Sequence, residues 1–315
     1  MRLLLATLLL LVPALAAAQA RPVNPCNFNS TDAPCRLSDG VYRALIPQGP
    51  GPHPAVIYLY GSLGLSKQVT DAAFFRREVV RRGYALIVPA ALDVTYRGNI
   101  EGTGWGRRAR AGEHPRDDLD FLRRLIRDAA VRHSIDRDRV IFAGQSDGAF
   151  MIWEIACHAP QMGAAFAVHA GSYGGPLPGR CTRPVRFLQA HGARDRTVPL
   201  DGIRVGPVVA AAPVPEALDV MARTNRCARG PVEAGRAHGF ARQVWEGCAE
   251  GASLEYLEHG GGHSWPPRWL RAVLDWFERT EFRAAEAVTR RVGDRPSGGR
   301  FRSPGEGGHF MSVPD

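Results

Sequence analysis

Apolar and polar positions along this chain alternate between two rhythms. Short apolar runs bounded by Gly or Pro read as strands: "VYRALIP" and "AVIYLY" with the turn "QGPGPHP" between them, then "YALIVPA", "RVIFAG", "AAFAVHAG", "VRFLQAHG" and "SLEYLEHG". Segments with helical spacing lie between them. "DAAFFRREVVRRG" has apolar residues at 74, 75, 79 and 80 and Gly83 as its stop. "DDLDFLRRLIRDAAVRH" places Leu119, Leu122, Leu125 and Ile126 on one side. Its opening acids Asp117, Asp118 and Asp120 read as cap residues that oppose the helix dipole. "AFMIWEIACHA", "VPEALDVMARTNRC" and "RWLRAVLDWFERTEF" keep the same period, whereas residues 92–116 read as irregular and Gly-rich. Apolar strands alternating with amphipathic helices predict the α/β class, a mostly parallel central sheet with helices on both faces. No internal repeat and no second domain are visible.

Composition changes the picture at the two ends. "MRLLLATLLLLVPALAAAQA" has one Arg, an apolar run, then small residues ending Ala18-Gln19-Ala20. This is the form of a secretory signal peptide, expected to be cleaved after Ala20 or after Ala18. The run is short for a membrane span, and no Cys stands at the cleavage point to carry a lipid, so no stable membrane anchor is expected after cleavage. The expected organisation is a signal peptide over 1–20, an N-terminal extension rich in Pro, Asn and Ser over 21–40, a folded domain over 41–287, and a disordered Gly-, Arg- and Pro-rich tail over 288–315. Export makes Cys26, Cys35, Cys157, Cys181, Cys227 and Cys248 a disulfide set. None forms C-x-x-C and no His/Cys cluster has zinc spacing, so no metal is expected. Proximity suggests Cys26–Cys35, Cys157–Cys181 and Cys227–Cys248. The net charge of +9 comes mostly from Arg on helix faces and in the tail. It reads as a solvated basic surface, and no aromatic-interleaved basic groove points to nucleic acid.

One motif falls where this architecture gives it meaning. Gly144, Ser146 and Gly148 make a G-x-S-x-G frame in "FAGQSDGAFM", between the strand "RVIFAG" and the helix "AFMIWEIAC". In that context the frame holds a serine on a tight, strained turn with its hydroxyl at the carboxyl edge of the sheet. A serine hydroxyl is a poor nucleophile until a base takes its proton, and the base needs an orienting acid. Both are expected at later strand ends, acid before histidine. "FLQAHGARDRTVP" places Asp195 just after a buried strand, and "YLEHGGGHSWP" places His263 in a Gly-rich loop before the last helix. Ser146, Asp195 and His263 are therefore the expected triad. His259, four residues earlier, is the alternative base; His191 and His169 read as packing histidines.

Acyl transfer also needs donors for an oxyanion. The backbone N–H of Asp147 is expected to be one. That of Ser62 in "GSLG", or of Leu63 beside it, is expected to be the other, with Gly61 letting the chain turn close. The Asp147 carboxylate is unhelpful near developing negative charge, so it should point away or pair with an Arg. Tyr60, Trp105 and Trp265 fall in loops at the same edge and are candidate substrate-binding residues. "RGNIEGTGWGRRARAGEHP" reads as a basic rim for acidic or polymeric substrates, or equally as a solvated loop.

At these residues the chain resembles the α/β-hydrolase superfamily. More narrowly it resembles the secreted esterases grouped as polyhydroxybutyrate depolymerase-like, LpqC-like and feruloyl esterase-like proteins. The resemblance is carried by "AVIYLYGSLG", "DDLDFLRRLI", "SIDRDRVIFAGQSDGAFM", "HGARDRTVP" and "GGGHSWP", over about residues 41–280. It implies the α/β-hydrolase fold, Ser146 as nucleophile, Asp195 as acid, His263 as base, and hydrolysis of carboxylic esters without a cofactor. Two positions depart from that family: Tyr60-Gly61 stands where His-Gly is usual, and Asp147 where Asn is more frequent. Dienelactone hydrolase-like proteins are relatives that normally use Cys, and Ser146 argues against their chemistry. The expected protein is a secreted or periplasmic serine esterase whose partner is an ester, small or polymeric. A prolyl oligopeptidase-like peptidase is one alternative, although the chain has no room for a propeller. A hydrolase-fold binding protein without turnover is the other, kept open by the two departures.

Overall fold

The structure, a computed structural model, describes Cys26 and residues 33–96, 100–107 and 114–293. The expected signal peptide, most of the N-terminal extension and residues 294–315 of the expected tail lie outside the described residues, as does much of the candidate basic rim. Among the described residues, fourteen strands follow the chain in order. They are β1 (Cys35–Leu37), β2 (Gly40–Leu45), β3 (His53–Leu59), β4 (Ala85–Pro89), β5 (Leu92–Tyr96), β6 (Ile100–Gly104), β7 (Ile135–Gln145), β8 (Ala165–His169), β9 (Arg186–Gly192), β10 (Ile203–Val205), β11 (Val208–Ala211), β12 (Arg229–Ala237), β13 (Phe240–Glu246) and β14 (Ser253–His259). The helices are α1 (Ser66–Asp71), α2 (Ala73–Glu78), α3 (Asp118–His133), α4 (Asp147–His158), α5 (Val214–Thr224) and α6 (Trp269–Gly293).

Ten strands form one sheet in the order β1-β2-β4-β3-β7-β8-β9-β14-β13-β12. From β4 to β14 every neighbouring pair is parallel. The reason is visible in the burial. All five residues of β4 and of β8 are buried, which requires cover on both faces of the sheet. At the edges, β1 and β2 on one side and β13 and β12 on the other pair antiparallel, and β12 alternates exposed and half-buried residues. The core joins Val56, Ile57, Phe142, Phe166 and Phe187 of the strands to Leu122, Leu125, Trp153 and Trp276 of the helices. Among the described residues, no helix is long and apolar enough to cross a membrane.

Four expectations about elements change. The single helix expected over "DAAFFRREVVRRG" is α2 and a 3₁₀ turn at Val80–Arg82, preceded by the separate helix α1. Ala72, extended at φ −66° and ψ 113°, ends α1 and starts α2, and the Thr70 hydroxyl donates to the carbonyls of Ser66 and Lys67 in the last turn of α1. Gly83 does stop this segment, in the left-handed region at φ 85°. Residues 92–116 are not wholly irregular, because β5 and β6 form an antiparallel hairpin. The last helix runs to Gly293, past the expected boundary at 287, and β1 joins the sheet from within the expected 21–40 extension.

The three disulfides are Cys26–Cys35, Cys157–Cys181 and Cys227–Cys248, the pairs that proximity suggests. Cys157–Cys181 closes the end of α4 onto the segment leading to β9, so it braces the helix that follows Ser146.

Candidate active site

The site is built at the carboxyl ends of β3, β7, β9 and β14. Ser146 follows β7 and is the N-cap of α4, with φ 54° and ψ −122°. A side-chain-bearing residue at positive φ is strained, and such strain persists only where the surroundings impose it. Here its N–H donates to the His169 carbonyl at 3.0 Å, and its carbonyl accepts from Phe150 N at 3.1 Å. The flanking glycines let β3 come close. A Cβ on Gly148 would lie 2.0 Å from the Leu59 carbonyl oxygen, and one on Gly144 would lie 2.5 Å from the same atom.

His263, in the loop after β14, stands with Nε2 2.9 Å from Ser146 Oγ and Nδ1 2.8 Å from Asp195 Oδ2. Asp195 is 6% exposed, and its other oxygen accepts from the amides of Thr197 and Val198, each at 2.9 Å. Both amides hold the orientation of its carboxyl group. Gln145 fixes the third member: its Nε2 donates to the His263 carbonyl at 2.9 Å. Its role has no sequence signal beyond adjacency to the serine.

The other histidines are engaged elsewhere. His191 donates from Nε2 to the Val198 carbonyl at 2.8 Å, and the same nitrogen lies 3.5 Å from Asp195 Oδ2. His259 accepts from Gly261 N at its Nδ1, so Nε2 carries the hydrogen and donates to His169 Nε2 at 3.1 Å. Its ring nitrogens are thus engaged by Gly261 and His169, whereas it is His263 that meets Ser146. His169 is fully buried beneath the turn, and burial pushes its pKa down to about 2. Burial likewise pushes His133, at the end of α3, down to about 4.

These two groups give an expected pH dependence of stability. The unfolded chain takes up a proton at each near the ordinary value of 6.5, whereas the fold resists until about 4 at His133 and about 2 at His169. Their contribution is complete above that ordinary value and is lost as pH falls below it. Each adds a slope of about 1.4 kcal/mol per pH unit. Urea midpoints should thus fall between pH 7 and pH 5, and His133→Gln should flatten the slope by about one proton. An unchanged slope in that variant would remove His133 from the account.

No family model matches the chain. The protein named "Putative esterase NocK" of Nocardia uniformis subsp. tsuyamanensis is 27% identical over 170 residues, 48% of this chain and 49% of that protein. Feruloyl esterase D of Neurospora crassa is 26% identical over 150 residues, 47% of this chain and 48% of that protein. The chain thus spans about half the length of the curated relatives it matches. The acetyl xylan esterase from Aspergillus awamori superposes with a TM-score of 0.55 at 15% identity, over 76% of this chain and 94% of its own. The chain has the α/β-hydrolase fold.

Ser146 occupies the tight turn between β7 and α4. The Asp147 N–H, at the first position of α4, has no intrahelical partner and lies at the positive end of the helix dipole. Gly61 brings the β3 loop beside it, since a Cβ there would lie 3.5 Å from Ser146 Oγ. Ser62 and Leu63 follow in a turn closed by Gly64 N donating to the Gly61 carbonyl at 3.1 Å, with Leu63 at φ 67°. The Asp147 carboxylate turns to the loop after β6. One oxygen accepts from Trp105 N at 3.0 Å and the other lies 3.1 Å from Arg107 Nη2.

A cleft of about 590 Å³ opens at Ser146 and His263. Tyr60 and Trp265 line it; Trp105 does not. Trp105 is 2% exposed, and its indole donates to the Tyr60 carbonyl at 2.9 Å, so it supports the site from behind. The Tyr60 hydroxyl accepts from Ala91 N at 2.8 Å, and burial pushes its pKa up to about 12. Tyr60 thus offers ring surface and not an acid. The sequence reading missed Tyr58, Phe74 and Phe75, which complete the aromatic wall. Trp265 stacks on Phe75 at 5.2 Å and meets Phe74 edge-on at 5.3 Å. The adjacent pair Phe74-Phe75 carried no separate signal, because both fit the apolar stripe at 74, 75, 79 and 80 that reads as core.

The acids that open α3 divide their roles. Asp117 is a cap, accepting from Asp120 N at 3.0 Å. Asp118 is more than that: fully buried, it accepts from Gly106 N at 2.5 Å and pairs with Arg116, anchoring the loop that carries Trp105 and Arg107.

Proposed function

We propose that the protein is a serine hydrolase of carboxylic esters, acting through an acyl-enzyme. The observation that carries this reading is His263, within hydrogen-bond distance of both Ser146 Oγ (2.9 Å) and the buried Asp195 (2.8 Å). His263 removes the Ser146 proton as the hydroxyl attacks the ester carbonyl. The Asp147 and Ser62 amides receive the oxyanion. His263 then protonates the leaving alcohol and activates the water that clears the acyl group, while Asp195 holds the imidazole and stabilises its charged form. No cofactor is needed for these steps.

The aromatic cleft favours an ester with an aryl or medium acyl group, and polyhydroxyalkanoate, feruloyl and simple acyl esters remain the substrate classes proposed. That both curated relatives carry esterase names supports the reaction type. We place the protein in the periplasm or medium, on its N-terminal sequence and its three disulfides. The test is hydrolysis of p-nitrophenyl esters of graded chain length, with fluorophosphonate labelling mapped to its residue. Turnover with labelling at Ser146 supports the reading; an inert, unlabelled protein overturns it. Trp265→Ala should raise KM about tenfold for aryl and medium-chain esters and leave acetyl esters nearly unchanged. An equal loss on every ester would mean that Trp265 braces the loop of His263 and does not contact substrate.

A further inference from the structure

Asp147 places a carboxyl group directly after the nucleophile, on the residue whose own N–H is proposed to receive an oxyanion. That side chain is 9% exposed, and its partner Arg107 is 11% exposed. A buried carboxylate there opposes developing negative charge in surroundings where water screens little. We infer that Arg107 is a positioning residue which neutralises Asp147, so that the pair acts at this position as an uncharged side chain would. This rests on the ester-hydrolase reading.

The guanidinium is held for this task. Nη2 lies 3.1 Å from Asp147 Oδ1, and the group's centre sits 4.8 Å over the ring of Phe150, one turn along α4. The loop after β8 also packs close to the guanidinium, since a Cβ on Gly174 would lie 2.6 Å from Nη1. Position and charge are also separable. Trp105 N holds the second Asp147 oxygen, and Asp118 anchors Gly106 and Arg116, so the loop keeps its place without the guanidinium. Removing Arg107 leaves an uncompensated buried charge, the costly half of a broken ion pair. That charge should disfavour the oxyanion and favour the protonated form of His263. The other ionisable groups around His263 are Asp195, His191 and His169, which the variants below leave in place.

The experiment compares wild type, Arg107→Met, Asp147→Asn and the double variant. Met keeps an apolar contact with Phe150. Arg107→Met should lower kcat about 100-fold, or about 2.7 kcal/mol, with KM within about threefold. The acid limb of its pH–rate profile should move up by about one unit. The double variant should recover to the level of Asp147→Asn alone, which a loop-bracing role would not allow. An unchanged kcat in Arg107→Met, or a double variant as impaired as Arg107→Met, overturns the inference. The NMR titration of His263 in the same four proteins reads the charge without turnover. It should move to higher pH in Arg107→Met and return in the double variant. A titration that stays put overturns the inference even where the wild type proves inert, and inertness alone counts against only the ester-hydrolase reading.

Discussion

Alanine at position 146 should abolish ester hydrolysis, lowering kcat by about 10⁴-fold or more and leaving the melting temperature within about 2 °C of wild type. The hydroxyl contributes chemistry and little packing. Its observed partner is His263 Nε2, while the backbone strain of the turn is borne by the N–H and carbonyl bonds to His169 and Phe150, which an alanine keeps. His263→Ala should cost about as much as Ser146→Ala, and a variant lacking both should be scarcely worse, because the two groups act as one device. Asp195→Asn should cost less, because Thr197 and Val198 still position that side chain. Its distinguishing defect is a mis-set imidazole tautomer. Steady-state kinetics on one activated ester, with active-site titration of each variant, checks all of this. Strictly additive losses would mean that the three residues are neighbours without a common mechanism.

The second large effect is structural. Gly148→Ala should destabilise the protein by about 3 kcal/mol or more, lowering its melting temperature by about 6–12 °C, and should also destroy activity. The new methyl would lie 2.0 Å from the Leu59 carbonyl oxygen and 2.8 Å from that of Tyr60. Both are backbone atoms at the end of a central strand, so neither can rotate aside. Relief requires β3 and α4 to separate, which shifts Ser146 and the Gly61 loop together. A melting temperature equal to wild type, with activity retained, would show that the elbow tolerates a wider turn than its packing suggests.

How much of this was legible depended on whether the signal was local. The parallel centre could be read because β4 is apolar at every position and β8 at all but its last, His169, a composition that fits a strand covered on both faces. Ser146, Asp195 and His263 could be picked out because each ends an apolar run in the order the fold requires. The aromatic wall could not. Phe74 and Phe75 look like core residues in any helical register, and only the break at Ala72 turns one face toward the cleft. Trp105 was misjudged for the complementary reason: a tryptophan in a loop near the site is expected to meet substrate, but the carbonyl of Tyr60 claims its indole. The strands β12 and β13 escaped notice because an edge hairpin with one exposed side carries charged residues at many positions.

The position of β14 bears on how the protein is made. It lies between β9 and β13, so the hairpin of β12 and β13 is synthesised before the strand that attaches it to the sheet. Until residue 259 has emerged, the edge of β9 stays open and the hairpin has nothing to dock on. The nascent chain therefore carries an open sheet edge until then, and His263 follows directly behind the strand that joins the hairpin to the sheet.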